Sequence, residues 1–164
     1  MSDQTNDTVP RIVVGVDGSP GSKTALLWAM TQARQTGATI EAVTVWQDPA
    51  TYGTAYGWLS ATFDGDTRAT TIAKVLAETV AEVSDQVGAG VTVVERVVQG
   101  HPVEALLEAA AGARLLVVGS RGHGAFAAIM LGSVSQHCVQ HAPCPVVVVP
   151  AAYAGQGQDP PSAT

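Results

Sequence analysis

Four glycines lie in one connection between a predicted strand and a predicted helix. Gly119 ends the apolar run LLVVG, Gly122 and Gly124 follow it, and Gly132-Ser133 opens a helical segment. Glycine lacks a Cβ, so backbone N–H groups can approach a ligand closely. The first turn of a helix adds unpaired N–H groups and the positive end of the helix dipole. This spacing predicts an anion site, to which the hydroxyls of Ser133 and Ser135 would add donors.

Other interpretations of these residues remain open. Turn glycines with Ser133 as the helix N-cap would give the same spacing without a ligand. The pattern is neither a P-loop, because no Gly-Lys-Ser/Thr is present, nor the tight GxGxxG turn. Asp17, in the VDGS sequence after the first predicted strand, is a candidate for a nucleotide or Mg²⁺ contact. Its alternative role is to cap the helix that follows.

A second cluster of chemically active side chains is weaker evidence for a site. His137 and His141 are four residues apart on one predicted helix, and Cys138 and Cys144 lie nearby. These residue types can bind zinc, but no second Cys/His pair exists elsewhere to complete four ligands. Histidines near a helix C-terminus, favoured by the helix dipole, are the preferred interpretation.

Composition limits the class of protein. The 164 residues suit one domain; 46% are hydrophobic and only 13% charged, so most elements must be buried. The net charge of −6 argues against nucleic acid or an anionic membrane as a partner. The polar N-terminus has no signal-peptide core, no apolar run is long enough to span a membrane, and only two cysteines occur. We therefore expect a cytoplasmic protein.

Apolar and amphipathic segments alternate along the chain. Strands are predicted at 11–16, 39–46, 91–98, 113–119 and 145–149, and helices at 22–35, 67–87, 102–111 and 133–142. This order predicts βαβ units and a mainly parallel sheet, with ligands beyond the carboxyl ends of the strands. The long loop 47–66 is predicted to be a lid or binding loop. Residues 1–9 and 151–164 are predicted to be disordered tails around a domain at 10–150.

Three segments resemble the universal stress protein family over residues 10–150. They are RIVVGVDGSPGSKTALLWA, QGHPVEALLEAA and LLVVGSRGHGAFAAIMLGSVSQHCVQHAPCPVVVVP. The pattern G-x2-G-x9-G-S/T, which marks the ATP-binding subclass of that family, is complete as Gly119, Gly122, Gly132 and Ser133. Arg114 departs from the family, in which an acidic residue is common at that position, but it lies outside the motif.

The resemblance implies an α/β fold, an architecture and a site. The fold would be a five-stranded parallel sheet in the order 3-2-1-4-5 with helices on both faces, of the adenine nucleotide alpha hydrolase-like type. ATP, with Mg²⁺, would lie at the loop after the fourth strand. Matching positions assign contacts with the nucleotide to Asp17, to the backbone of Val45 at the adenine, and to Gly119, Gly122, Gly132, Ser133 and Ser135 at the ribose and phosphates.

The function expected from these features is an ATP-binding stress-response or signalling module with at most slow ATP hydrolysis. The alternatives are an ATP-cleaving enzyme on the same fold and a dimeric interaction scaffold that binds no nucleotide. The family also implies homodimers. Because Val146–Val149 would form an apolar strand at the sheet edge, we expect the two copies to pair along that strand.

Overall fold

The computed structural model describes residues 8–48, 65–121 and 131–153. Its strands are β1 (Arg11–Gly15), β2 (Thr39–Trp46), β3 (Val93–Gln99), β4 (Leu115–Gly119) and β5 (Val146–Val149). Its helices are α1 (Pro20–Thr36), α2 (Gly65–Val87), α3 (Pro102–Ala110) and α4 (Ser133–His141). The strands form one parallel sheet in the order β3-β2-β1-β4-β5, which confirms the predicted α/β fold and strand order.

Helices cover both faces of the sheet because its central strands are apolar on both faces. Val13 and Val14 of β1 point to opposite faces, and both are 0% exposed. One core cluster joins the β1 face of Val14 to Leu26 of α1 and to α2. The other joins the Val13 face to α3 and to Cys138 of α4. Within the described ranges, no helix is both long and apolar enough to cross a membrane.

The observed elements begin and end within two residues of the predicted boundaries. The start of α1 shows why the differences arise. The helix begins at Pro20, because the Ser19 side chain accepts a hydrogen bond from the Ser22 N–H at 3.2 Å and proline suits the first helical position. Ser19, rather than Asp17, is therefore the N-cap. The helix ends as predicted at Gly37, which has the left-handed φ of 72°.

Some predictions lie mainly outside the described residues. The loop 47–66 is described only at residues 47–48 and 65–66, and α2 already begins at Gly65. The predicted tails are described only at residues 8–9 and 151–153. Tyr153, in the described part of the predicted C-terminal tail, packs against the core cluster that contains residues of α1 and α2.

An ion-pair network connects the amino-terminal edge of the sheet to the end of α3. Glu41 of β2 accepts from Arg11 Nη1 at 2.5 Å and from Arg96 Nη1 at 3.1 Å. Arg11 also donates to the carbonyls of Ala109 and Ala111, at 2.7 and 2.8 Å. Those carbonyls belong to the negative end of the α3 dipole, so a cation there is favourable. The network therefore holds α3 against the sheet.

This network leads to a stability prediction. The Glu41 side chain is only 11% exposed, so Glu41→Gln leaves two guanidinium groups with a neutral partner. We expect the free energy of unfolding to fall by about 1–3 kcal/mol, measured by urea denaturation. Glu95→Gln, at an exposed position of β3, is the matched control and should change stability by less than about 0.5 kcal/mol. Equal effects of the two substitutions would contradict this account of the network.

Candidate functional site

A backbone hydrogen bond joins the two ends of the β4–α4 connection, at the carboxyl ends of the strands. The Ser120 N–H donates to the Val149 carbonyl at 2.9 Å, and the Ser120 carbonyl accepts from the Gly132 N–H at 2.9 Å. This second bond places the N-cap of α4 beside the end of β4. The structure thus brings Gly119 close to Gly132, whereas the predicted site residue Gly122 lies outside the described residues, as does Gly124.

The first turn of α4 presents backbone donors. Gly132 is the N-cap and has no side chain to accept from the turn, and the turn contains no acidic residue. The first bond closing the turn runs from the Gln136 N–H to the Gly132 carbonyl, at 3.0 Å. The N–H groups of Ser133, Val134 and Ser135 therefore lie ahead of the helical hydrogen bonds, at the positive end of the dipole. This arrangement suits an anion.

The two serines of this turn have different roles. Ser133 is exposed and is the first helical residue, so the alternative interpretation of Ser133 as the N-cap is wrong. Ser135 is buried, and its hydroxyl donates to the Gly119 carbonyl at 2.6 Å. This hydrogen bond ties α4 to the end of β4. Because a hydroxyl has only one proton to donate, the Ser135 hydroxyl uses its proton within the protein.

Of the two motif glycines that the structure describes, Gly119 is required by close packing, whereas the backbone conformation of Gly132 does not require glycine. Gly132 has φ −60° and ψ 158°, which any residue can adopt. At Gly119, in contrast, a Cβ would lie 2.9 Å from the Gly21 carbonyl oxygen. A Cβ at Gly21 would in turn lie 2.7 Å from the Arg121 carbonyl oxygen. Sequence reasoning missed Gly21; the available signal was a glycine in the first turn of a helix, where alanine is more favourable.

Asp17 lies two residues after the end of β1, the strand that neighbours β4. Its carboxylate Oδ1 accepts from the Ser19 N–H at 2.9 Å, and its own N–H donates to the Ser22 hydroxyl at 3.3 Å. Asp17 is exposed. The side chain is thus oriented by the turn that leads into α1, and it supplies a carboxylate at the same edge of the sheet as β4.

Val45 continues β2 beyond the end of β1. The Val16 N–H donates to the Val43 carbonyl at 2.8 Å, and the Thr44 hydroxyl donates to the Val16 carbonyl at 2.7 Å. In a parallel strand, alternate residues direct their backbone groups to the same side. The N–H and C=O of Val45 therefore face the side of β1 at a level where β1 has ended. A donor and an acceptor placed side by side match the edge of a purine base.

The cysteines and histidines form no metal site in the described part of the chain. Both cysteines are free, and burial raises the pKa of Cys138. Burial also raises the pKa of Cys144, against the opposing effects of a Leu116 backbone hydrogen bond and the Arg11 charge. His137 Nδ1 donates to the Ser133 carbonyl at 2.8 Å. Within residues 8–48, 65–121 and 131–153, no group of three or more His, Cys, Asp or Glu side chains could hold a metal ion.

The chain is similar to known proteins over most of its length. The universal stress protein family profile matches residues 8–150. A universal stress protein of Mycolicibacterium smegmatis is 36% identical over 138 residues, which is 84% of this chain and 45% of that protein. The matched part of this chain covers less than half the length of several curated relatives.

Solved structures agree with this comparison. A universal stress protein in complex with cAMP is 29% identical, with a TM-score of 0.64 over 88% of this chain and 98% of that one. A universal stress family protein from Burkholderia pseudomallei is 27% identical, with a TM-score of 0.59 over 85% of this chain and 95% of that one. The sheet order and the helices on both faces are those of the adenine nucleotide alpha hydrolase-like fold. From sequence and fold together, this chain belongs to the universal stress protein family.

Proposed function

We propose that this chain binds an adenine nucleotide at the carboxyl ends of β1 and β4, and that the ligand is ATP with Mg²⁺. One observation carries the proposal: the N–H groups of Ser133, Val134 and Ser135 lie at the end of β4 behind an N-cap without a side chain. The related universal stress protein solved in complex with cAMP supports an adenine nucleotide as the class of ligand.

The described residues suggest which group of the nucleotide each would hold. The first turn of α4 and the Ser133 hydroxyl would bind phosphate oxygens, with Gly132 keeping the approach open. Gly119 would let the first turn of α1 pack close to the end of β4, beside this site. Gly122, from the sequence motif, would extend this cradle. Ser135 would act by holding α4 in place, because its proton is already donated to Gly119.

The base and the metal would lie towards β1 and β2. The backbone of Val45 would recognise the adenine edge. Asp17 would supply one carboxylate to Mg²⁺, which in nucleotide sites is commonly held by one or two carboxylates together with phosphates. Asp17 fits this role because it is exposed at the strand end and one of its oxygens is already fixed by Ser19.

The corresponding biological role is a nucleotide-dependent stress-response or signalling module in the cytoplasm, with at most slow ATP hydrolysis. Rapid phosphoryl transfer needs a positioned base and a cation at the leaving oxygens in addition to the binding groups. Because the related structure contains cAMP, cyclic AMP is the alternative ligand that a competition experiment must include. An ATP-cleaving enzyme and a nucleotide-independent scaffold are the alternatives that the following measurements exclude or support.

We also propose a homodimer through β5. The Pro145 carbonyl accepts from Leu116 and the Val149 carbonyl from Ser120, so these residues face β4. By the alternation of a parallel strand, the N–H and C=O groups of Val146 and Val148 face away from the sheet. They could pair with the same groups of a second copy related by a two-fold axis.

Binding to the cradle is tested by titration calorimetry with ATP and with cyclic AMP. Gly132→Val keeps an allowed backbone conformation but places a branched side chain before the N–H groups. We expect ATP affinity to fall more than a hundredfold, because two or three hydrogen bonds to charged oxygens are worth about 1.5–3 kcal/mol each. Ser133→Ala removes one hydroxyl and should weaken binding about tenfold. Wild-type affinity in Gly132→Val, with the fold checked by circular dichroism, would refute the cradle.

Slow hydrolysis is tested by steady-state phosphate release with ATP and Mg²⁺. We expect a rate far below the enzyme median of about 10 s⁻¹. Asp17→Asn is the informative variant, because it retains an acceptor for the Ser19 N–H but loses the charge. A rate near the enzyme median that this substitution abolishes without loss of ATP binding would support the ATP-cleaving enzyme.

The dimer is tested by light scattering on proline variants of the two edge strands. Val148→Pro removes an outward N–H of β5 and should give monomers. Glu95→Pro is the matched control, because the Thr92 carbonyl faces β2 and alternation therefore directs Glu95 outward on the opposite edge. This control should leave the dimer intact. A dimer that survives Val148→Pro but is lost in Glu95→Pro would place the interface on β3.

A further inference from the structure

The backbone of the first turn of α1 lies against the backbone that continues β4 from Gly119 to Arg121. A Cβ at Gly21, in the first turn of α1, would lie 2.7 Å from the Arg121 carbonyl oxygen. A Cβ at Gly119 would lie 2.9 Å from the Gly21 carbonyl oxygen and 3.0 Å from its carbon. Neither glycine has a positive φ. Glycine is therefore required at both positions by close approach and not by backbone conformation.

This contact reaches α4 through backbone hydrogen bonds. Arg121 follows Ser120, whose N–H donates to Val149 and whose carbonyl accepts from the Gly132 N–H, both at 2.9 Å. Gly132 is the N-cap of α4. A shift of the Arg121 carbonyl must therefore be absorbed close to the bond that sets the first turn of α4. Well-packed backbone contacts transmit such shifts because few voids are available to absorb them.

We propose that Gly21 is a positioning residue for nucleotide binding. By lacking a side chain, it lets the first turn of α1 hold the Ser120–Arg121 backbone, which in turn holds the donor groups of α4 at the end of β4. A Cβ added at Gly21 would face the protein backbone, so Gly21 itself does not contact the phosphates. Its effect on phosphate binding comes through the position of the α4 donor groups. This inference rests on the proposed binding of an adenine nucleotide.

The test substitution is Gly21→Ala, with Gly15→Ala as its matched control. Both add one methyl group to a glycine near the carboxyl edge of the sheet. At Gly15 the added Cβ would lie 3.2 Å from Leu106 Cδ1, the end of a flexible side chain of α3. At Gly21 the added Cβ meets the Arg121 backbone, which cannot rotate away. Comparing the two variants therefore distinguishes the effect of a local packing change from the effect of displacing the β4–α4 connection.

The first measurement uses the protein without nucleotide. Backbone amide chemical shifts are compared among wild type, Gly21→Ala and Gly15→Ala. We expect the amides of Ser120, Arg121 and Gly132 to shift more in Gly21→Ala than in Gly15→Ala. Shifts in Gly21→Ala that remain confined to α1 would overturn the proposed connection, whether or not the protein binds ATP.

The second measurement is calorimetry with ATP and with adenosine, which lacks phosphates. We expect Gly21→Ala to bind ATP about tenfold or more weakly, the effect of losing one hydrogen bond to a charged oxygen, while its affinity for adenosine changes much less. Gly15→Ala should bind ATP like wild type. An equal loss for both ligands, or wild-type ATP affinity in Gly21→Ala, would overturn the positioning role. Absence of ATP binding in wild type would instead refute the proposed function and the nucleotide role together, and the amide shifts would then decide the positional claim alone.

Discussion

The burial of β1 on both faces, with a strand paired along each edge, is the constraint on which this fold depends. Val13 and Val14 are inaccessible on opposite faces, and β1 pairs with β2 on one edge and β4 on the other. Such a strand requires helices on both sides of the sheet. The chain therefore winds first from β1 towards β3 and afterwards from β4 towards β5. The connections that follow β1 and β4 therefore lead to helices on opposite faces of the sheet. In open parallel sheets, the crevice between two such connections is where ligands bind.

The groups offered at that crevice are mainly backbone groups. The chain carries a net charge of −6 with only eight lysines and arginines, so an anion could not rely on a cluster of basic side chains. Helix N-termini and strand ends provide donors without adding charge. The turn before α1 is already satisfied by the Ser19 cap, whereas the first turn of α4 has no side-chain cap. This difference identifies α4 as the more open of the two helix starts.

Two residues of the motif, Gly119 and Ser135, make their contacts within the protein. The Ser135 hydroxyl is bonded to Gly119, and Gly119 lies against the first turn of α1. The motif thus combines two physical requirements in one spacing. Gly119 and Ser135 bring α4 and α1 close to the end of β4, and Gly132 leaves the start of α4 open. A ligand-binding pattern in a sequence can therefore contain residues whose direct partners are within the protein.

Local sequence patterns were enough to predict the order and type of the elements, since apolar periodicity, helix caps and glycine stops are local features. They also placed Gly119, Gly132 and Ser133 at one connection, because these residues are close along the chain. The same spacing pointed to Gly122 and Gly124 within that connection, which lie outside the described residues. The role of Ser19 as the cap of α1 was missed, because Asp17 and Ser19 are equally suitable residue types and only geometry distinguishes them.

Only the tertiary structure showed which distant residues share a contact. Gly21 and Arg121 are a hundred positions apart, and nothing local in the sequence reveals that a Cβ on one would strike the carbonyl of the other. The Arg11–Glu41–Arg96 network likewise depends on the register of three strands. Local patterns determine how the backbone turns, whereas the distances between elements are set by the packing of the whole core, in which every residue takes part.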